Sequence, residues 1–484
     1  MMKKRRLFLY LVSIAMTFNQ IIVGFSNAQE KCPNVILILV DDLGYKDAGF
    51  MGGVHYDTPY LDEMAKKSHV YYQAYAAASN CAPSRASLLT GLHTPRHGIY
   101  TVGSSARGHA ADRKIIPVEN KQNLDNHFLT LPELLKEEGY ATASIGKWHI
   151  GQDPRSQGFD YNFGGNHKGH NQHFSPYQNN AIPDRSDGEY LTDRLTDEAL
   201  RYLDNRPSDQ PFFLYWSFFA VHTPIQAPGS LVEKYNNKEG TGRKAYGTYA
   251  AMIASLDENI GRLVRYLDRE KIADNTLIIF CSDNGGISAI SPQTPLRGGK
   301  GTYFEGGIRI PFMVYWPEKI AAYSDSASVI SHLDVFPTIK EMIGNKRTNT
   351  LDGVSLWSNL VHKQPVGSSL FWHFPVYLEA YDPVFDQAVD PRFRTRPGSV
   401  IREGKWKLHY YYENQDVLLF DLERDVAEQH NLSAQYPQKA DELKGKLSDW
   451  LSQMKAPIPK EHNPEYIKPR DEESKEMKVT TKIK

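Results

Sequence analysis

Several apolar runs of strand length punctuate this chain, and each ends in polar residues. Val35 to Val40 runs into Asp41-Asp42, and Ala141 to Ile145 runs into Gly146-Lys147-Trp148-His149. Phe212 to Val221 leads to His222-Thr223-Pro224, and Thr276 to Cys281 leads to Ser282-Asp283-Asn284. Continuous rather than alternating hydrophobicity predicts strands buried on both faces. Between these runs, Pro59 to Ser68, Leu131 to Glu138, Leu191 to Asn205 and Tyr246 to Glu270 carry helical spacing. Strands alternating with helices predict an α/β fold, a mostly parallel sheet flanked by helices. Ligands of such sheets bind beyond the carboxyl ends of the strands. Asp41, Asp42, His149, His222, Asp283 and Asn284 all fall there, so one rim is expected to gather them.

The pattern changes from about residue 371. Gly398 to Tyr412 and Val417 to Asp421 read as antiparallel strands around the turn Glu413-Asn414-Gln415-Asp416, and Pro437 to Met454 as a closing amphipathic helix. The expected division is a catalytic body over 29–370, a smaller α+β subdomain over 371–464 and a mobile charged tail over 465–484. A length of 484 residues suits one large domain and a smaller one.

At the start of the chain, Lys3 to Arg6 form a basic stretch, Leu7 to Met16 an apolar one, and Ser26-Asn27-Ala28 a small-residue site. That order predicts a signal peptide over 1–28, cleaved near Ala28. The competing reading, a retained anchor, needs ~20 apolar residues to span a bilayer, more than this run provides. The mature protein is therefore expected in the periplasm or secreted, with no stable membrane insertion. A formal net charge of −1 offers no field for nucleic acid. Export permits disulfides, but the count of three cysteines is odd and leaves at least one for another role. Cys32 precedes the first strand and Cys281 ends another. Parallel strands would hold them ~20 Å or more apart, so both are expected to stay reduced.

Paired carboxylates at the end of a buried strand repel unless a cation or proton intervenes. Asp41-Asp42 and Asp283-Asn284 offer oxygen donors without a thiolate or imidazole cluster, which suits Ca²⁺ or Mg²⁺ rather than zinc. Taken singly, either pair also reads as helix caps or turn residues; two pairs after separate strands favour the cation. Cys81 lies four residues before Arg85, as a structural thiol at a helix start or as a thiolate nucleophile activated by that arginine.

The run Cys81-Ala82-Pro83-Ser84-Arg85, continued by Leu89-Thr90-Gly91, resembles the type I sulfatase signature. The resemblance covers residues from about 33 to 320 and implies an alkaline-phosphatase-like fold and a sulfuric ester hydrolase. It implies that Cys81 is oxidised to formylglycine by a formylglycine-generating or anaerobic sulfatase-maturating enzyme. One hydroxyl of the hydrated aldehyde then attacks sulfur, and loss of the proton from the other expels sulfate. It assigns one Ca²⁺, ahead of Mg²⁺, to Asp41, Asp42, Asp283, Asn284 and the modified Cys81. Arg85 would hold the formylglycine, and Lys147 and Lys300 the sulfate. His149 would act as the base on the second hydroxyl, and His222 would protonate the departing oxygen. Lys147 and His149, two apart on an extended segment, would share a face.

For a bacterial enzyme of this family the implied substrates are sulfated glycans: algal polymers such as ulvan or carrageenan, or glycosaminoglycans. His167, His170 and His173, in the loop Gly164 to Phe174, and Arg155 are candidates to touch the sugar. Arg107, His109 and the run Arg392-Phe393-Arg394-Thr395-Arg396 are lesser candidates, and Trp372-His373-Phe374-Pro375 a candidate aromatic wall. A polar surface loop is the competing reading for the histidines. The alternatives for the whole protein are a phosphonate monoester hydrolase or phosphodiesterase of the same superfamily, and a glycan-binding protein without turnover.

Overall fold

The computed structural model describes residues 32–468 except 170, 171, 237, 239, 241, 244 and 368. The signal-peptide reading of 1–28, the tail from 469 and His170 lie outside the described residues. Eight strands form the main sheet, in the order Tyr161–Phe163, Ala141–Gly146, Phe212–Ser217, Asn34–Val40, Thr276–Ser282, Phe312–Tyr315, His69–Tyr71 and Tyr323–Asp325. Phe312–Tyr315 runs antiparallel to both neighbours, and every other pairing is parallel. The sheet is mixed and mostly parallel, as the continuous apolar runs predict.

Alternate residues of the central strand enter two apolar layers. Ile36, Ile38 and Val40 pack with Met252, Leu256 and Ile260 of the helix Tyr246–Arg269 and with Leu195 of Leu191–Asn205. Val35, Leu37 and Leu39 face Leu88 and Leu89 of the helix Cys81–Thr90 and Leu134 and Leu135 of Leu131–Glu137. Fully burying such a side chain contributes roughly 1.5–3 kcal/mol, so a strand covered on both faces is a rigid platform. Its register sets the site. Leu39 pairs with Ser217 on one side and Cys281 on the other, and Gly146 pairs with Ser217. Asp41, Lys147 and Asp283 therefore leave the sheet at one level.

The apolar run from Phe212 stops being a strand at Ser217 rather than continuing to Val221. Phe218 N–H donates to Leu39 O, then Asp41 N–H to Ala220 O and Val221 N–H to Asp41 O. The segment curls over the end of the central strand and delivers His222 to the rim.

The C-terminal region carries a four-stranded antiparallel sheet in the order Leu370–Phe374, Gly398–Glu403, Trp406–Tyr411, Asp416–Asp421. The stretch 398–412 is thus two strands joined at Gly404-Lys405, where Gly404 takes φ 55° and permits a two-residue turn. The helix Pro437–Gln453 covers this sheet through Leu443, Leu447 and Trp450. Trp372 and Phe374 join a cluster with Tyr75, Tyr303 and Ile308. No disulfide joins the cysteines, and no described helix is long and apolar enough to cross a membrane.

Candidate active site

Cys81 is the first residue of its helix, after Asn80 in extended conformation. Pro83 is tolerated in the first turn, where no backbone bond is lost. Arg85 lies one turn on, on the same face as Cys81. Its Nε and Nη2 approach Asp283 Oδ2 at 2.9 and 2.7 Å, and its Nη1 donates to Lys147 O at 2.9 Å and to Ser217 Oγ. Fully buried, Arg85 therefore ties the helix to three strand ends. His332, which sequence patterning does not single out, adds a second tie. Its Nδ1 is 2.9 Å from Ser84 Oγ and its Nε2 is 3.0 Å from Ser282 O.

One ligand atom each from Asp41, Asp42, Cys81 and Asp283 lies within 4.8 Å of all the others, and all four residues are buried. Cys81 Sγ is 3.3 Å from Asp41 Oδ1 and 3.9 Å from Asp42 Oδ1. Asn284 Nδ2 donates to Asp42 Oδ1 at 2.8 Å, while the buried Asn284 Oδ1 receives no hydrogen bond. Burial raises Asp41, and the carboxylates of Asp283 and Asp42 add to that against the pull of Lys147, leaving it at about 7. Burial also raises Asp42, but Lys300 and His222 outweigh it and hold the group below the usual carboxylate range. Crowded carboxylates and an orphaned amide oxygen fit a hard divalent cation, which would relieve the repulsion and give Asn284 Oδ1 a partner. Burial and Asp41 push the Cys81 thiol up, away from thiolate chemistry.

The cations stand around this group. Lys147 Nζ donates to Asp41 Oδ2 and is fully buried; Lys300 Nζ donates to Asp42 Oδ2 at 2.8 Å. Burial pulls the Lys300 ammonium down, but Asp42 and Cys81 outweigh it and hold the group well above the ordinary lysine range. Trp148 turns into the apolar core against Phe159 and Tyr215, leaving Lys147 and His149 to the site. The segment is not extended throughout: His149 takes φ 67° and Asp42 φ 61°. That region costs a non-glycine residue roughly 1–3 kcal/mol and persists where the surroundings over-determine it. Burial, Lys147 and Arg85 hold His149 well below the usual imidazole range, and its Nδ1 has no partner. His222 Nδ1 donates to Thr223 O at 2.6 Å, and its Nε2 lies 3.7 Å from Asp42 Oδ2.

A cavity of about 260 Å³ opens on this centre, lined by Asn80, Cys81, Val102, Arg107, His149, Gly169, His222, Lys300 and Tyr381. The loop Gly164 to Phe174 reaches it through Gly169, whose missing side chain makes room for His149: a Cβ would lie 2.4 Å from His149 Cε1. Of the histidines expected to touch the sugar, His173 and His167 are placed otherwise. His173 is buried with Nε2 3.0 Å from His222 O, and so it supports His222 from behind. His167 and Arg155 line a separate polar cavity of about 340 Å³, and Arg155 folds back on Asp153. Trp372 and Phe374 are buried, Trp372 donating to Ala76 O and Phe374 stacking on Tyr303. Among the described residues, the tyrosine ring at the cavity is that of Tyr381, which no local sequence pattern marks.

Residues 33–344 match the Sulfatase family, and residues 299–456 match the family described as N-sulphoglucosamine sulphohydrolase, C-terminal. A sulfatase of Formosa agariphila is 31% identical over 515 residues, covering 89% of this chain and 90% of that protein. The N-acetylgalactosamine-6-sulfatase of Mus musculus is 33% identical over 375 residues, covering 70% of this chain and 68% of its own length. The crystal structure of Ps i-CgsB in complex with k-i-k-neocarrahexaose aligns with TM-score 0.69 at 29% identity. That alignment covers 91% of this chain and 96% of the other.

Proposed function

Because this chain belongs to the sulfatase family and is a sulfuric ester hydrolase, we propose that it desulfates glycans through a formylglycine made from Cys81. The observation that carries the proposal is the convergence of Asp41, Asp42, Cys81 and Asp283 within 4.8 Å, beneath a cavity that Lys300, His149 and His222 also line. The Cys81 Sγ marks where the oxygens of the hydrated aldehyde would sit. One of them would displace the alcohol from sulfur, and deprotonation of the other would release sulfate. Asp41, Asp42, Asp283, Asn284 and the modified Cys81 would hold one Ca²⁺, which would polarise a sulfate oxygen and ease proton loss from the diol.

The chain's own residues supply the rest. Arg85 fixes the helix that carries Cys81 against three strand ends. Lys147 and Lys300 present fixed positive charge where negative charge grows in the transition state, and a preorganised site gains from that without reorganising. His149 is the base: its environment keeps the imidazole neutral and its buried Nδ1 is unused. His222 faces the leaving oxygen. Burial and Lys300 keep it neutral here, and an arriving sulfate would favour its protonated form.

Relatives named N-acetylgalactosamine-6-sulfatase and a similar structure in complex with a neocarrahexaose support a glycan substrate. Export through residues 1–28 and maturation by a formylglycine-forming enzyme complete the proposal. The test is sulfate release from defined carrageenan, ulvan and glycosaminoglycan oligosaccharides, beside an aryl sulfate and a phosphonate monoester. We expect kcat/KM on a sulfated saccharide to exceed that on the phosphonate by about 100-fold or more, some 2.7 kcal/mol of transition-state discrimination. A preference for the phosphonate would overturn the reading.

A further inference from the structure

The run Arg392-Phe393-Arg394-Thr395-Arg396 sets three arginines at alternating positions, and the structure finishes the middle one differently. Arg392 pairs with Asp390 at 2.7 Å and Asp112 at 3.3 Å. Arg396 pairs with Glu413 at 2.8 Å and Asp416 at 3.3 Å. Arg394 is 3% exposed, and its Nε and Nη1 have no hydrogen-bond partner. No carboxylate pairs with it among the described residues.

Its position is nonetheless fixed. The short ribbon of Leu378–Glu379 against Phe393–Thr395 brings Tyr381 beside it, with the guanidinium carbon 3.4 Å from the centroid of the Tyr381 ring. On another side lies Gly301, at φ 88°, where a Cβ would sit 2.4 Å from Arg394 Nε. The glycine after Lys300 thus makes room for a guanidinium next to the catalytic lysine. Lys300 and Tyr381 line the cavity over Cys81 together with Arg107. Arg107 donates to Val102 O and has no carboxylate partner among the described residues.

A guanidinium stays charged at any working pH, and a buried charge left unpaired is costly to fold around. Its planar fork matches the oxygens of a carboxylate or sulfate. We propose that Arg394 and Arg107 form a subsite beside the reacting sulfate that receives a second anionic group of the substrate, with Tyr381 as the platform for the sugar ring. This rests on the glycan reading and narrows it to saccharides carrying a second sulfate or a carboxylate near the scissile ester.

The test compares kcat/KM on three matched oligosaccharides: one bearing the scissile sulfate alone, one with a second sulfate, and one with a neighbouring uronate. The second-sulfate and uronate arms identify which anion the subsite takes. The wild-type enzyme should favour at least one of the two dianionic substrates by about tenfold or more, the equivalent of roughly 1.4 kcal/mol. That ratio should fall toward one in Arg394→Gln and in Arg107→Gln, mainly through KM, and recover in part in Arg394→Lys. If Arg394→Gln does not fold, Arg107→Gln decides by the same criterion. A wild-type ratio near one, or a ratio kept in the folded variants, overturns the subsite while leaving the glycan reading intact. Hydrolysis of aryl sulfate with no saccharide turned over overturns the glycan reading, and the subsite with it.

Discussion

Lys407 and Lys147 are both fully buried cations, but the charge around them is completed in different ways. Lys407, in the C-terminal sheet, lies 2.9 Å from Glu305 Oε1 and 3.0 Å from Glu428 Oε1. The second oxygen of Glu305 accepts from Tyr75 at 2.8 Å, and that of Glu428 accepts from the Glu305 N–H at 2.6 Å. All four carboxylate oxygens are engaged within the protein, and the cluster joins the C-terminal sheet to the body. Lys147 instead pairs with one carboxylate of a crowded set, in which Asn284 Oδ1 has no donor and a cavity opens beside Cys81. A buried charge cluster that closes on itself holds structure together. One left open toward a cavity is arranged for something that arrives.

The sharpest way to break this contrast is to remove the group at the open end. Cys81→Ala should lower sulfate release by about 10⁴-fold or more, in the range seen when a catalytic nucleophile is lost, with little change in thermal stability. A variant keeping a tenth of the activity would sink the nucleophile assignment. The closed cluster should respond the other way. Lys407→Met takes from Glu305 and Glu428 the buried cation they share, leaving Arg309 alone on Glu305 and only His409 beside Glu428, and should cost about 3–5 kcal/mol in denaturant unfolding. Turnover by the molecules that remain folded should not change. Loss of turnover without loss of stability would reverse the contrast.

Withdrawal of divalent ions is the gentler test. An ion at 100 times its Kd stabilises by about 2.7 kcal/mol. A chelator should therefore lower the melting temperature and stop turnover, and added Ca²⁺ should restore both. Lys407→Met should show the same ion-dependent shift, because its lesion lies in the other cluster. An unchanged melting temperature would mean that the acidic group holds no ion.

Much of the open cluster was legible in the sequence because parallel strands of matched register bring their carboxyl ends to one level. A polar residue just after an apolar run, such as Asp41, Lys147 or Asp283, is then placed by counting. The break within 398–412 leaves little trace in the sequence, because only the left-handed Gly404 marks its turn. Three contributions resisted for a common reason. His173 lies close to His167 along the loop, yet it turns inward to His222. His332 reaches Ser84 across almost 250 residues. Arg394 stacks on Tyr381 only because the C-terminal ribbon folds back beside Gly301. None of these pairings leaves a local pattern, so only tertiary structure reveals them.

If Cys81 is a precursor, active protein carries it in altered form, and its mass decides the matter. Protein matured in a host with a formylglycine-forming activity should be assayed for sulfate release and digested, and the peptide containing Cys81 weighed. Cys81 should have lost H₂S and gained one oxygen, in a fraction that tracks specific activity across preparations. Fully active protein carrying an unaltered cysteine would mean that Cys81 is not a precursor.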